Sequence, residues 1–445
     1  MRRIGINLKL CGFLLLALSL GLISGCNDTS ETPVTPIANI DPEFATDWIE
    51  IQLHLIKNTS GFSAPVTARS IGYTGIAFYE ALVHGMTGYQ SLSGQLSEFD
   101  NLPIPEDSRI YHWGISANAA IYEISKELFR NAPNPSLQLL DSLYNTYLQK
   151  FAIDTDPVVV SSSDSYGKTL AKSISDWAKT DGGYGAFNNN FPSDFVPPTG
   201  EGLWEPVASE KALHPYWGEN RPFLLKNKNI DPGPPTEYST SPDSDFHNEA
   251  MEVHDAVNNA TDDQVEVAFF WTDDPNETYT PSGHFLSIYL QTVKSKNSKL
   301  DFIAYGWAKL GMAVNDAFIS CWQSKFSYNY IRPITYIQKY VNSRWLPLII
   351  TPPFPEYTSG HSVQAGAAAE VLTNLFGDNH AFTDHTHDNL DLGLLPRNYD
   401  SFYDCAEEAA ISRLQGGIHF MPAISVGVDQ GKEIGKNVNN LDFSK

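Results

Sequence analysis

Lys325-Phe326-Ser327-Tyr328-Asn329-Tyr330-Ile331-Arg332-Pro333, Thr358-Ser359-Gly360-His361 and Ser412-Arg413-Leu414-Gln415-Gly416-Gly417-Ile418-His419 are three clusters within residues 322–419. Together they supply three cations, a Ser-Gly pair and two histidines. A compact tetrahedral oxyanion such as phosphate or vanadate needs several fixed donors. Arg offers a planar fork and Lys a point charge. Lys325 and Arg332 are seven residues apart, which on one helix puts them on one face. Pro333 disfavours helical backbone at Arg332, so that helix is expected to end there. Gly360 allows close backbone approach, and a helix opening in the Ala-rich run after it would aim free N–H groups at an anion. Arg413 and His419 are out of phase on a regular helix, and Gly416-Gly417 predicts a break that lets them converge. Either histidine could be ligand, nucleophile or proton carrier.

The ordered trio resembles the superfamily of vanadium-dependent haloperoxidases and type 2 phosphatidic acid phosphatases. Its pattern is Lys, six residues, Arg-Pro; then Pro-Ser-Gly-His; then Ser-Arg, five residues, His. One position departs, with Thr358 in place of proline. Pro281-Ser282-Gly283-His284 spells the second block in full but precedes the lysine, so it reads as a turn opening a helix at 283–294, with Ser282 as a cap.

Trp322, three residues before Lys325, and Pro353-Phe354-Pro355-Glu356-Tyr357 look like the corresponding segments of chloroperoxidases and bacterial iodoperoxidases. This places Trp322 and Phe354 at the pocket wall, although each reads equally well as a plain core aromatic. The resemblance implies an all-α fold of two helical bundles, with a vanadate site in the C-terminal one. It implies His419 as the vanadium ligand and Lys325, Arg332, Arg413, Ser359 and Gly360 around the oxygens. His361 would be the acid–base group, and Lys325 would polarise the oxidant. The reaction would be oxidation of halide by hydrogen peroxide to hypohalous acid, iodide preferred and bromide possible. The alternatives are an exported acid phosphatase working through a phosphohistidine, and a non-catalytic oxyanion-binding lipoprotein. An aspartate often follows the last histidine by four residues in the family; here that position is Ala423. Another acceptor must then orient His419, or its chemistry is weakened, which counts against the phosphatase. Asp273 or Asp274 could pair with Arg413.

At the start of the chain, Arg2, Arg3 and Lys9 precede an apolar run, and Ile23-Ser24-Gly25-Cys26 resembles a bacterial lipobox. Residues 1–25 read as a lipoprotein signal, 26–41 as a flexible tether, 42–179 as an N-terminal helical half, 180–245 as a long irregular connection rich in Gly, Asn and Pro, and 246–445 as the C-terminal half. Helical spacing is expected over 46–56, 67–84, 113–128, 136–151, 162–177, 247–258, 262–271, 283–294, 301–323, 361–376, 403–414 and 422–438. The chain has 445 residues and a formal charge of −23. Loss of residues 1–25, which hold three cations and no acid, takes it to −26. That argues against nucleic-acid or anionic-membrane surfaces and makes clustered cations more informative. Beyond Cys11 and Cys26 only Cys321 and Cys405 remain, too few for a disulfide framework. The loop with His380, His385 and His387 beside Asp378, Asp384 and Asp388 reads as solvated, with a structural metal as its alternative. The lipobox predicts an exported, envelope-anchored protein with an acylated Cys26. Mass spectrometry of the mature N-terminus should show a lipid-modified cysteine there, and an unmodified start elsewhere would refute it.

Overall fold

A computed structural model describes residues 36–207 and 211–445. Cys26 and residues 1–25, expected to be a signal, lie outside the described residues. The end of the expected tether is not free: Ile37 and Ile40, around a short 3-10 turn, are buried in the core.

The chain forms α1 (Glu43–Asn58), α2 (Ala64–Leu82), α3 (Trp113–Leu128), α4 (Asn134–Ala152), α5 (Pro157–Ala178), a single turn α6 (Leu225–Lys228), α7 (Asp245–Asn258), α8 (Asp262–Phe270), α9 (Thr280–Ser295) and α10 (Leu300–Tyr328). It continues with α11 (Pro333–Tyr340), α12 (Gly360–Phe376), a small antiparallel pair β1 (Phe382–Asp384) and β2 (Arg397–Tyr399), α13 (Phe402–Gln415) and α14 (Met421–Asn439). Local chemistry sets many of these starts. Ser244, Ser359 and Ser401 cap α7, α12 and α13 through their hydroxyls, and Thr261 with Gln264 makes a capping box on α8.

The long helix α10 is the shared beam of an all-α, two-bundle fold. It packs on α2 in one bundle, where α2 meets α3 and α9, α3 meets α4 and α5, and α1 meets α4 and α9. It packs on α12 and α14 in the other, completed by α13 with α7 and α8. Small residues allow the close approaches. A Cβ on Gly311 of α10 would stand 2.8 Å from the Gly72 Cα of α2, and one on Gly431 of α14 only 2.0 Å from the Val363 carbonyl oxygen of α12.

Two expectations are corrected here. Lys325 and Arg332 do not share a helix: α10 stops at Tyr328, Asn329 takes a left-handed conformation (φ 44°), and Arg332 is the extended residue that precedes α11. Pro333 starts that additional helix as its first residue, where its missing N–H is harmless. The Pro281-Ser282-Gly283-His284 stretch lies inside α9, with Ser282 buried and not capping, because the helix already begins at Thr280.

The segment 180–245 carries only short helical turns, and named bonds pin it to α10 and the site loops. Asp316 of α10 accepts from Phe223 N (2.8 Å), Leu224 N (3.0 Å) and Asn227 Nδ2 (2.9 Å). Trp322 Nε1 donates to the Leu213 carbonyl (3.2 Å), and Trp204 N to the Asn329 carbonyl (2.7 Å). Gly431→Ala should force α14 away from α12 at a cost of about 1–3 kcal/mol. Thermal unfolding should show a lower Tm, whereas an unchanged Tm would mean that the two helices can separate freely.

Candidate active site

Three buried cations meet where α10, α11, α12 and α13 end or begin. Lys325, in the last turn of α10, donates from Nζ to the Pro355 and Glu356 carbonyls, each at 2.9 Å. Arg332 donates from Nε to the Phe354 carbonyl (2.9 Å) and from Nη1 to the Ile418 carbonyl (2.7 Å). Its Nη2 is buried without a partner. Arg413, in the last turn of α13, donates from Nε to Ser412 Oγ (2.9 Å) and from Nη2 to the Ala268 carbonyl (3.2 Å). Lys325 and Arg332 are 0% exposed and Arg413 2%, yet among the described residues none of the three has a carboxylate within ion-pair distance. Burial pushes Lys325 down to about 7 and both arginines down to about 10. A buried cation without a counter-charge is costly, so this cluster is built for an anion.

Gly417, in the left-handed region (φ 81°), ends the turn after α13 as the double glycine predicts, and His419 follows before α14. The question raised by Ala423 is answered by Glu356. His419 Nδ1 lies 2.8 Å from Glu356 Oε1, which also accepts from Phe420 N at 2.9 Å. With Nδ1–H donating to the carboxylate, the Nε2 lone pair points into the site, where it accepts from Arg332 Nη1 at 3.2 Å. Burial and then the neighbouring Arg332, Lys325 and Arg413 charges hold His419 well below the ordinary histidine range. Burial pushes Glu356 up to about 7, against the pull of Arg332 and Lys325. The argument against a phosphohistidine from a missing orienting acid therefore falls. Sequence reasoning missed Glu356 as a site residue; its place three residues before Ser359 was the available signal.

Ser359 caps α12 by accepting from Ser362 N (3.4 Å), and its own hydroxyl hydrogen remains available. The first-turn N–H groups of Gly360 and His361 have no intrahelical acceptor. His361 Nε2 is buried and unpartnered. Burial, with the Arg413 charge next, keeps that ring neutral, well below the ordinary value. Trp322 and Phe354 close one side, ring centroids 4.9 Å apart, with Lys325 Nζ 4.9 Å and the Arg332 guanidinium 5.0 Å from the Phe354 centroid. Both aromatics thus wall the cations.

Neither Asp273 nor Asp274 is paired with Arg413. Asp273 instead bonds His284, and both carboxylates act on Arg413 only through space. The Asp384 and His387 part of the His/Asp loop is buried, not solvated, while His385 faces out and bonds Asp388. Cys321 and Cys405 are free and buried.

A family model for the VCPO second helical-bundle domain matches residues 307–443. A crystal structure of a bacterial vanadium-dependent iodoperoxidase superposes with a TM-score of 0.82 at 35% sequence identity, covering 92% of this chain and 98% of that one. A holo-type bacterial vanadium-dependent chloroperoxidase gives 0.60 at 17% identity, over 92% and 93% of the two chains. Its apo-type counterpart gives 0.59 at 16%, over 92% and 96%. At such identities these two share the fold alone. No curated protein sequence matches significantly.

Anion affinity should fall with pH. As pH rises through about 7 Lys325 loses its positive charge and Glu356 gains a negative one, and both changes oppose an anion. Each proton that binding must restore costs up to about tenfold per pH unit. Calorimetric titration with sulfate, whose charge is constant over this range, should show that decline, with a shallower slope in Lys325→Met. A flat profile in the unaltered protein would contradict the site as described.

Proposed function

The chain belongs to the vanadium-dependent haloperoxidase family, and from that premise we propose that it oxidises halide with hydrogen peroxide, preferring iodide. The observation that supports the reading best is the set of three buried cations with no carboxylate in contact, beside a histidine whose unprotonated Nε2 meets only the Arg332 guanidinium.

The residues fit vanadate. His419 Nε2 would be the ligand atom, held in orientation by Glu356. Lys325, Arg332, Arg413, the Ser359 hydroxyl and the Gly360 N–H would neutralise its oxygens, and the orphan Arg332 Nη2 is a donor that such an ion satisfies. When bound, vanadate supplies the Lewis acid through which hydrogen peroxide transfers an oxygen atom to halide. His361, neutral because it is buried among cations, can accept a peroxide proton at Nε2 and return it to departing water. Lys325 stabilises negative charge on the oxidant while its two carbonyl bonds fix its position. Trp322 and Phe354 exclude water from that side.

Iodide preference is supported by the 35% identical iodoperoxidase and by the aromatic wall, which suits a large, weakly hydrated halide. Iodide is also the easiest of the halides to oxidise. Export and anchoring through Cys26 rest on residues 1–26 alone and complete the proposal. The Glu356–His419 pair gives the acid-phosphatase alternative a specific footing, since an oriented imidazole is also a phosphoryl acceptor.

Steady-state peroxide consumption by vanadate-loaded protein should be rapid with iodide, weak or absent with bromide and negligible with chloride. Chloride turnover comparable to iodide would overturn the preference, and phosphomonoester turnover by vanadate-free protein without any peroxidase activity would favour the alternative. His419→Ala should lose vanadate on gel filtration. His361→Ala should keep much of it yet lose turnover. Equal vanadate loss in both variants would mean that the two roles are misassigned.

A further inference from the structure

A second buried polar cluster lies outside the oxyanion site, where the loop after α8, helix α9 and the turn after β1 meet. Asp273 is 1% exposed, His284 and Asp384 0%, and His387 4%. Asp273, His284 and His387 each offer a ligand atom, and these atoms lie within 4.8 Å of one another. His284 Nδ1 stands 3.0 Å from both Asp273 oxygens, while its Nε2 bonds Asp384 Oδ2 at 2.6 Å. His387 commits Nε2 to the Phe270 carbonyl at 2.9 Å, and its Nδ1 is buried with no partner. Each imidazole therefore has an outer nitrogen fixed by an acceptor and an inner nitrogen uncommitted to any acceptor beyond the cluster.

We propose that Asp273, His284 and His387 form a binding site for a divalent cation of the zinc class. Metal-bound histidines almost always donate the other ring N–H to a carboxylate or a backbone carbonyl, which fixes the tautomer. Asp384 supplies the first kind of acceptor and Phe270 the second. Asp384 is itself held, with Oδ1 accepting from Thr386 N (2.9 Å), Thr386 Oγ1 (2.6 Å) and Gln291 Nε2 (3.3 Å). Two imidazoles and one carboxylate suit zinc or cobalt, whereas calcium and magnesium take six or more oxygens. Water would fill the remaining position.

Charge balance points the same way. With no cation, His284 must hold a proton between two carboxylates, leaving the cluster at −1. A divalent ion that displaces the Nδ1 proton, released to solvent, brings it to zero. Gln291 and Thr386, which hold Asp384, also line part of a surface cavity of about 430 Å³. Because Asp273 also acts on Arg413 through space, a cation there would tie three segments together behind the oxyanion site.

The competing state is an ion triad that holds only a proton. Untagged protein, stripped by chelator and loaded with Co2+ alone, separates the two. One Co2+ per chain, with the visible bands of a four-coordinate ion and about one proton released per ion, is expected, and Zn2+ should displace it. Asp384→Asn should weaken Co2+ binding by about 10–100-fold, and His387→Gln should abolish the bands. Absence of stoichiometric Co2+ in the unaltered chain, or bands of a six-coordinate ion only, would overturn the proposal whatever the variants do. So would undiminished binding by a folded His387→Gln protein.

Discussion

The arrangement depends on keeping three cations out of water without giving them carboxylates. Lys325, Arg332 and Arg413 are held chiefly by backbone carbonyls, from Phe354, Pro355, Glu356, Ile418 and Ala268. A carbonyl satisfies a donor but supplies no opposing charge, so the positive potential of the site persists for a ligand. The same bonds lock the loops between helices. Lys325 and Arg332 grip the 354–356 loop, and Arg332 also fixes the residue before His419. A packed core of helices brings these loops to one point, and the cations then hold them there. Ligand affinity and loop order thus share one set of hydrogen bonds, and removing a cation would loosen the segments that place the other donors.

The sequence carried most of this site because its donors sit in short, spaced blocks. Lys325, Arg332, Ser359, Gly360, His361, Arg413 and His419 stand in three ordered blocks; the family resemblance implied their roles and the two bundles, and helical periodicity located the helices that bring them together. What was not legible is tertiary. The departure at Ala423 looked like a loss, yet the acid is supplied by Glu356, 63 residues before His419 in sequence. Its place three residues before Ser359 hints at the site, but no local spacing pairs it with His419. The path between Lys325 and Arg332 was misread for a related reason. Seven residues match two helical turns, but a left-handed Asn329 breaks the helix between them, and asparagine in that role looks the same in sequence as asparagine within a helix. The segment 180–245 looked irregular, and the buried carboxylate of Asp316 that pins it lies some ninety residues farther along.

Two histidine–carboxylate pairs in this chain show how surroundings decide what one motif can do. His419 with Glu356 and His284 with Asp273 and Asp384 are alike in burial and in distance. Around His419 the neighbours are Arg332, Lys325 and Arg413, so a further positive charge is unfavourable and the ring stays neutral. Around His284 the near neighbours are two carboxylates, and although burial opposes charge they raise the ring to about 10. The first ring therefore presents a lone pair at neutral pH and can serve as a ligand or nucleophile. The second holds a proton throughout the physiological range unless a cation replaces it. The Pro-Ser-Gly-His spelling that ends at His284 and the Ser-Gly-His that ends at His361 differ in the same way, because charge placed by distant segments, rather than the motif itself, sets the chemistry. His361 faces Arg413 and stays neutral, as a proton acceptor must before it acts, whereas a ring charged like His284 has no lone pair left to accept one.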